Sequence, residues 1–246
     1  MIQITVAKYL QLRLEELGLG HVFGVAGNYT APFLNTIVED PCAKIKIIGN
    51  TNEINAGHCA DGYARLNKIS AVAVTYGVGA FSLLNPIAGS YVEHNAVLVI
   101  NGAPTNAEQG KNMGEGLMAS HMTGDMYSNI NVYRNVTVAA EQVTSEGEAP
   151  YKIDAVLNAL VSYGRPAYLE VFEDVWRSYC DAPYRPINVK RGETCRDTAH
   201  SAAVATADLI EAKDNPIFWA GVEIQRQNLQ EQFLSLVDKT QIEFTT

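Results

Sequence analysis

The 246-residue chain is short of several things, and each shortage excludes a class. Its 4 cysteines (Cys42, Cys59, Cys180 and Cys195) form no CxxC and stand at no zinc spacing from a histidine. That is not a disulfide scaffold, and idle thiols in a reducing compartment are the natural reading. Basic residues are few: 18 Lys plus Arg against 27 Asp plus Glu, a formal net charge of −9. Such a chain lacks the basic footprint that displaces counterions from phosphate, so nonspecific nucleic-acid binding is excluded. Long apolar runs are also missing. Ala71–Val74 and Ala96–Ile100 are strand-sized, far from the ~20 residues that span a bilayer. The opening MIQITVAKYLQLRLEELG carries charges throughout and has no apolar h-region, so no signal peptide is read there, and a soluble, cytoplasmic, membrane-free protein is expected. There is no GxxxxGK[ST] phosphate loop and no GxSxG nucleophile elbow.

What is present is ordinary globular material, 47% hydrophobic and 18% charged, enough for a core and against disorder. Leu10, Leu14 and Leu17 mark an amphipathic helix over residues 5–17, with Thr5 as N-cap and Gly18 and Gly20 beyond its end. Apolar runs at 21–25, 45–48, 71–75, 96–101 and 167–172 read as strands. Helices are expected over 52–65 and 82–93, around Pro32, and around Ile153–Leu160. Continuous apolar strands alternating with helices are the pattern of an α/β fold, a doubly wound parallel sheet covered on both faces. Residues 102–131, rich in Gly, Asn, Met and Ser, read as a long functional loop with one short helix. Residues 1–176 then form one domain and 177–197, with Pro183 and Pro186, a linker. Residues 198–246 hold the truncated start of a second α/β domain, with helices at 198–212 and 229–237 and strands at 217–220 and 242–245.

In open parallel sheets ligands lie at the carboxyl ends of the strands. Here those ends carry 24–30, 49–53, 75–82 and 101–125. Gly77-Val78-Gly79-Ala80-Phe81-Ser82 is a GxGxxG with serine last. It reads equally as a phosphate cradle or as a tight turn that brings helix and strand together. A nicotinamide site is remote, because the next strand ends Ile100-Asn101-Gly102 without the ribose-binding acid. Glu53 stands where a strand end becomes a helix N-terminus, so capping is its simplest role. The small residues Ala56, Gly57, Cys59 and Ala60 beside it leave room for a close neighbour and keep a functional role open. His94 reads as a helix-end histidine or a site residue. Met113, Met118, Met122 and Met126 read as pocket lining or adaptable packing. His21, His58 and His200 read as structural or exposed.

Several stretches together carry a resemblance. They are His21–Tyr29 (HVFGVAGNY), Asn52–Ala56 (NEINA), Ala60–Arg65 (ADGYAR), Thr75–Gly79 (TYGVG), Ala88–His94 (AGSYVEH), Asn101–Pro104 (NGAP), Arg165–Leu169 (RPAYL) and Ala220–Glu223 (AGVE). In order and spacing they resemble the N-terminal, pyrimidine-binding (PYR) part of thiamine-diphosphate-dependent enzymes of the pyruvate and indolepyruvate decarboxylase family. The resemblance implies that Glu53 protonates N1′ of the cofactor's aminopyrimidine. It also implies that Gly27, Thr75, Gly77, Val78, Gly79 and Ser82 line the cofactor, and that His121, Asn28 and Ser120 lie around a 2-oxo acid substrate. No metal ligand is expected in this chain. The magnesium that holds the diphosphate is expected in a C-terminal domain, since no Gly-Asp-Gly is followed by paired asparagines; Gly124-Asp125-Met126 is not that motif. Family members assemble as homodimers or homotetramers.

Two positions depart from the family pattern. The turn after the first strand, usually Gly-Asp, reads Gly27-Asn28, and the usual His-His pair reads Ser120-His121. Asn28 cannot ionise, and Ser120 is a poor proton carrier beside imidazole. Aldehyde release is thereby weakened, which points to a decarboxylase with altered product release or to a carboligase. The alternative is a non-catalytic or regulatory relative of the PYR fold with a decayed proton shuttle. On this reading the chain is a truncation that binds thiamine diphosphate weakly and is inactive alone.

Overall fold

Continuous apolar strands leave both faces of a sheet to be covered, and the computed structural model, which describes residues 2–187 and 195–246, builds them that way. The chain falls into two units, 1–191 and 192–246. In the first, the elements run β1 (Gln3–Thr5), α1 (Val6–Glu16), β2 (His21–Gly24), α2 (Ala31–Glu39), β3 (Lys46–Gly49), α3 (Glu53–Asn67) and β4 (Ile69–Thr75). They continue with α4 (Val78–Ser82), α5 (Leu84–Val92), β5 (Ala96–Ala103), α6 (Asn106–Glu115), α7 (Ser128–Tyr133) and β6 (Ala140–Val143). The unit closes with α8 (Ala149–Tyr163), β7 (Ala167–Phe172), α9 (Glu173–Trp176) and β8 (Tyr179–Asp181). Six strands form one sheet in the order β3-β2-β4-β5-β7-β6, and every pairing is parallel.

Alternation along each strand divides the core. Ala71, Ala73, Leu98, Ile100 and Leu169 face one layer, where Leu10, Leu14, Phe33, Ile153 and Leu157 come from α1, α2 and α8. Val72, Val74, Val97 and Val99 face the other, against Ala56 and Ala60 of α3, Ile87 of α5 and Tyr133 of α7. Each such large side chain contributes roughly 1.5–3 kcal/mol by leaving water. Trp176 stacks on Phe33 at 5.4 Å between ring centres and its indole N–H donates to the Tyr29 carbonyl at 3.1 Å, so α9 is clamped to the turn after β2.

Local signals explain most of the boundaries. The Thr5 hydroxyl accepts from the Lys8 amide at 3.2 Å, as expected of its N-cap. The helix expected over 82–93 is two helices beginning at Val78, interrupted at Leu83. Pro86 has no N–H to give the Ser82 carbonyl, so the ladder breaks there. The loop expected over 102–131 contains the 10-residue α6, opened by a capping box between Thr105 and Glu108. Three strands of this unit lie outside the expected set. β6 is a short edge strand, and β1 pairs antiparallel with β8. The expected linker therefore begins within the fold, at Tyr179–Asp181, while its residues 188–194 lie outside the described residues.

The second unit holds α10 (Arg196–Glu211), β9 (Phe218–Trp219), α11 (Glu223–Arg226), α12 (Gln230–Thr240) and β10 (Phe244–Thr245). β9 and β10 pair in parallel. Phe233 meets the rings of Phe218 and Phe244 edge-on, at 6.1 and 5.3 Å. Among the described residues of this unit none is buried.

Candidate active site

The strand order reverses between β2 and β4: the chain leaves β2 for β3 on one side and reaches β4 on the other. The crevice beyond such a switch point is where an open parallel sheet holds a ligand. Most of the expected site residues converge there. A Cβ on Gly27 would lie 2.4 Å from Thr75 Cβ, so only glycine lets the two turns meet. The Thr75 hydroxyl donates to Asn28 Oδ1 at 3.3 Å across the same gap.

Glu53 opens α3, and its neighbours settle what it does not do. The N-cap is Asn52, whose side chain accepts from the Asn55 amide at 2.8 Å. Asn50 ties the turn down, accepting from the Gly24 amide at 3.1 Å and donating to Asn55 Oδ1 at 3.2 Å and to Cys59 Sγ at 3.4 Å. The Glu53 carboxylate is therefore not consumed by capping. Half-buried, it reaches no hydrogen bond or ion pair among the described residues. Its Oε1 lies 3.4 Å from where a Gly79 Cβ would stand. An unpartnered acid at the positive end of a helix, facing a glycine, suits a planar ring nitrogen that shares a proton.

Gly77 has φ +65° and ψ −111°, and a Cβ there would lie 2.0 Å from the His121 carbonyl oxygen. His121, itself at φ +66°, is thus set directly over the β4 turn. The Tyr29 hydroxyl donates to the Ser120 carbonyl at 3.2 Å. Burial raises the pKa of that hydroxyl, which stays a donor. Ser120, His121 and Asn28 are exposed. Two expected cofactor residues behave differently. The Ser82 hydroxyl donates back to the Val78 carbonyl at 2.8 Å, within its own helix. Val78 lies open to solvent at the start of a helix of only 5 residues.

Two of the remaining histidines are committed to other partners. His94 bonds to Arg165, and His21 to the Tyr63 hydroxyl at 3.1 Å. Met122 and Met126 pack against the core under the loop, whereas Met113 and Met118 are exposed. Among the described residues no group of three or more His, Cys, Asp or Glu is placed to hold a metal, and no helix is long and apolar enough to cross a membrane. Sequence reasoning missed the Tyr29 hydroxyl and the buried set Tyr76, Asn101, Gln142 and Glu170. A carboxylate inside the apolar run of β7 was the available signal for the latter.

Comparison with known proteins agrees with the geometry. Residues 4–124 match the family model described as thiamine pyrophosphate enzyme, N-terminal TPP binding domain. Alpha-keto-acid decarboxylase of Mycobacterium leprae (strain TN) is 42% identical over 183 residues, 74% of this chain and 31% of that protein. The protein of the same name from Mycobacterium ulcerans (strain Agy99) is 39% identical over 206 residues, 84% of this chain and 36% of its own. The chain spans about a third of the length of the curated relatives it matches. Over residues 4–124, within its first unit, the chain matches the N-terminal TPP binding domain of the thiamine pyrophosphate enzymes.

Proposed function

We propose that this chain forms the N-terminal part of a thiamine-diphosphate-dependent 2-oxo acid decarboxylase, with Glu53 as the residue that activates the cofactor. The observation that carries the reading is the Glu53 carboxylate, left without a partner because Asn52 does the capping. Thiamine diphosphate, when bound, supplies the electron sink for loss of CO2 from a 2-oxo acid. The protein supplies orientation and protons. Glu53 holds a proton at N1′ of the aminopyrimidine. Gly79 and Gly27 keep the space beside Glu53 and Thr75 clear of side chains. Gly77 keeps the turn under His121 tight, and Thr75 and Asn28 close the floor between β2 and β4.

Around the substrate His121 is the titratable member of the Ser120–His121 pair, and Asn28 orients without ionising. That shortage of proton carriers favours slow aldehyde release, and hence carboligation with a second carbonyl compound. Residues 1–176 act as the pyrimidine-binding domain and 198–246 as the opening of a central one. Magnesium and the diphosphate are held outside this chain's described residues, in a homo-oligomer of the complete polypeptide. Four free cysteines suit a reducing cytoplasm.

Glu53→Gln in the complete polypeptide is the test. It keeps the fold and lowers 2-oxo acid turnover by about 10²–10⁴-fold, the usual worth of a positioned acid–base group. Unchanged turnover overturns the assignment. A wild-type polypeptide that binds the cofactor and turns over no 2-oxo acid would instead favour the regulatory relative. Product analysis with one and then two 2-oxo acids separates aldehyde release from carboligation.

A further inference from the structure

The segment between α6 and α7 that carries Ser120 and His121 is suspended by side-chain donors reaching its carbonyls. Tyr29 donates to Ser120 O at 3.2 Å and Asn112 Nδ2 to Gly124 O at 3.0 Å. Met126 O accepts twice, from the Tyr76 hydroxyl and from Gln142 Nε2, both at 3.2 Å. Tyr76 and Gln142 are buried. Behind them a polar rung crosses three strands in register, Asn101 on β5, Glu170 on β7 and Gln142 on β6. Glu170 is fully buried. Its Oε1 accepts from Gln142 Nε2 at 2.6 Å, and its Oε2 accepts from Asn101 Nδ2 at 3.0 Å and from the Tyr168 hydroxyl.

This arrangement leaves the Gln142 amide one orientation. Its nitrogen faces two acceptors, the Glu170 carboxylate and the Met126 carbonyl. Turned over, it would set oxygen against oxygen at both. A buried carboxylate that only braced the sheet would need one N–H from Gln142. The second is spent on a loop 16 residues away in sequence.

We propose that Gln142, its amide oriented by Glu170, acts with Tyr76 as a positioning pair that fixes the Met126 carbonyl and so holds the Ser120–His121 segment over Gly77. The functional part of this inference rests on the reading above that Ser120 and His121 face the substrate; the tether itself is measurable without cofactor.

Amide hydrogen exchange over residues 117–127, with 96–103 and 153–160 as fold controls, tests it in the complete polypeptide. Gln142→Leu and Tyr76→Phe each speed exchange in the loop about fivefold, the worth of one hydrogen bond, and leave the controls protected. The double exchange Gln142→Glu with Glu170→Gln keeps a donor–acceptor pair between β6 and β7 but gives the Met126 carbonyl no donor from position 142. It therefore leaves the loop fast while the controls stay protected. Wild-type loop protection in Tyr76→Phe, or its recovery in the double exchange, overturns the proposal and makes the rung a brace for the sheet. Should Gln142→Leu fail to fold, Tyr76→Phe decides, because it leaves the Gln142–Glu170 bond intact. Glu53→Gln leaves loop exchange at its wild-type rate, so failure of the tether and failure of the Glu53 assignment read out separately.

Discussion

Gly77→Ala tests how tightly the β4 turn is built. Two costs add. At φ +65° and ψ −111° an L side chain is strained whatever the space, a penalty of about 1–3 kcal/mol. The new methyl would lie 2.0 Å from the His121 carbonyl oxygen, where Cβ contacts under 3.0 Å are essentially never seen. The loop must retreat by at least the difference, and crowding of this kind costs about 1–3 kcal/mol more. Together they reach about 2–6 kcal/mol, a large part of the 5–15 kcal/mol that holds an ordinary domain folded. The yielding part is the loop, since His121 is exposed and Gly77 is backed by β4. Urea unfolding followed by circular dichroism should show a lower midpoint with an unchanged slope. Hydrogen exchange should show lost protection over 117–127. A variant within about 0.5 kcal/mol of wild type, the usual span of a neutral surface change, with its loop still protected, would refute the close approach of Gly77 and His121.

Asp154→Ala removes the bidentate partner of Arg13, held at 2.9 and 2.6 Å between α8 and α1. It leaves a nearly buried guanidinium with Glu16, the Arg185 carbonyl and the Tyr9 hydroxyl. A loss of about 3 kcal/mol is expected, the low end for a broken buried pair, and calorimetry should register a melting point lower by about 6–12 °C. Asp40 answers to pH. The hydrogen bond from Lys8 leads the causes that draw its carboxyl from 3.8 down to about 2, with the Cys42 amide and Gln11 assisting. A depressed carboxyl contributes stability above its unfolded value that is lost as pH falls through its folded one. Wild type should therefore lose stability between pH 3.8 and about 2 more steeply than Asp40→Asn. Parallel acid titrations contradict this.

Much of the fold was legible in short-range chemistry. Thr5, Pro32 and glycines such as Gly18, Gly24, Gly49 and Gly77 announced several element ends, and unbroken apolar runs announced a sheet buried on both faces. What stayed hidden was hidden for physical reasons. β6 reads Ala-Glu-Gln-Val because an edge strand needs to bury little. α6 was masked by its polar, glycine-containing composition, although Thr105 and Glu108 spell its start. Glu53 was legible as a site candidate, but only the placement of Asn52 shows that its carboxylate is spare. The links from Tyr76 and Gln142 to Met126 O span 50 and 16 residues, and a local reading does not pair them.

The strand order also sets a timetable. β7 lies between β5 and β6, so β6 has no seat in the sheet until β7 exists. During synthesis the chain from Val143 to Ala167 takes ~1–5 s to emerge at ~5–20 residues per second. For that interval the edge strand and Gln142 wait unpaired, while β2, β4 and β5 can already zip together. The last tether to close on the Met126 carbonyl is therefore the one from β6, and a nascent chain arrested before Ala167 would carry its Glu53 turn assembled and its His121 loop one tether short.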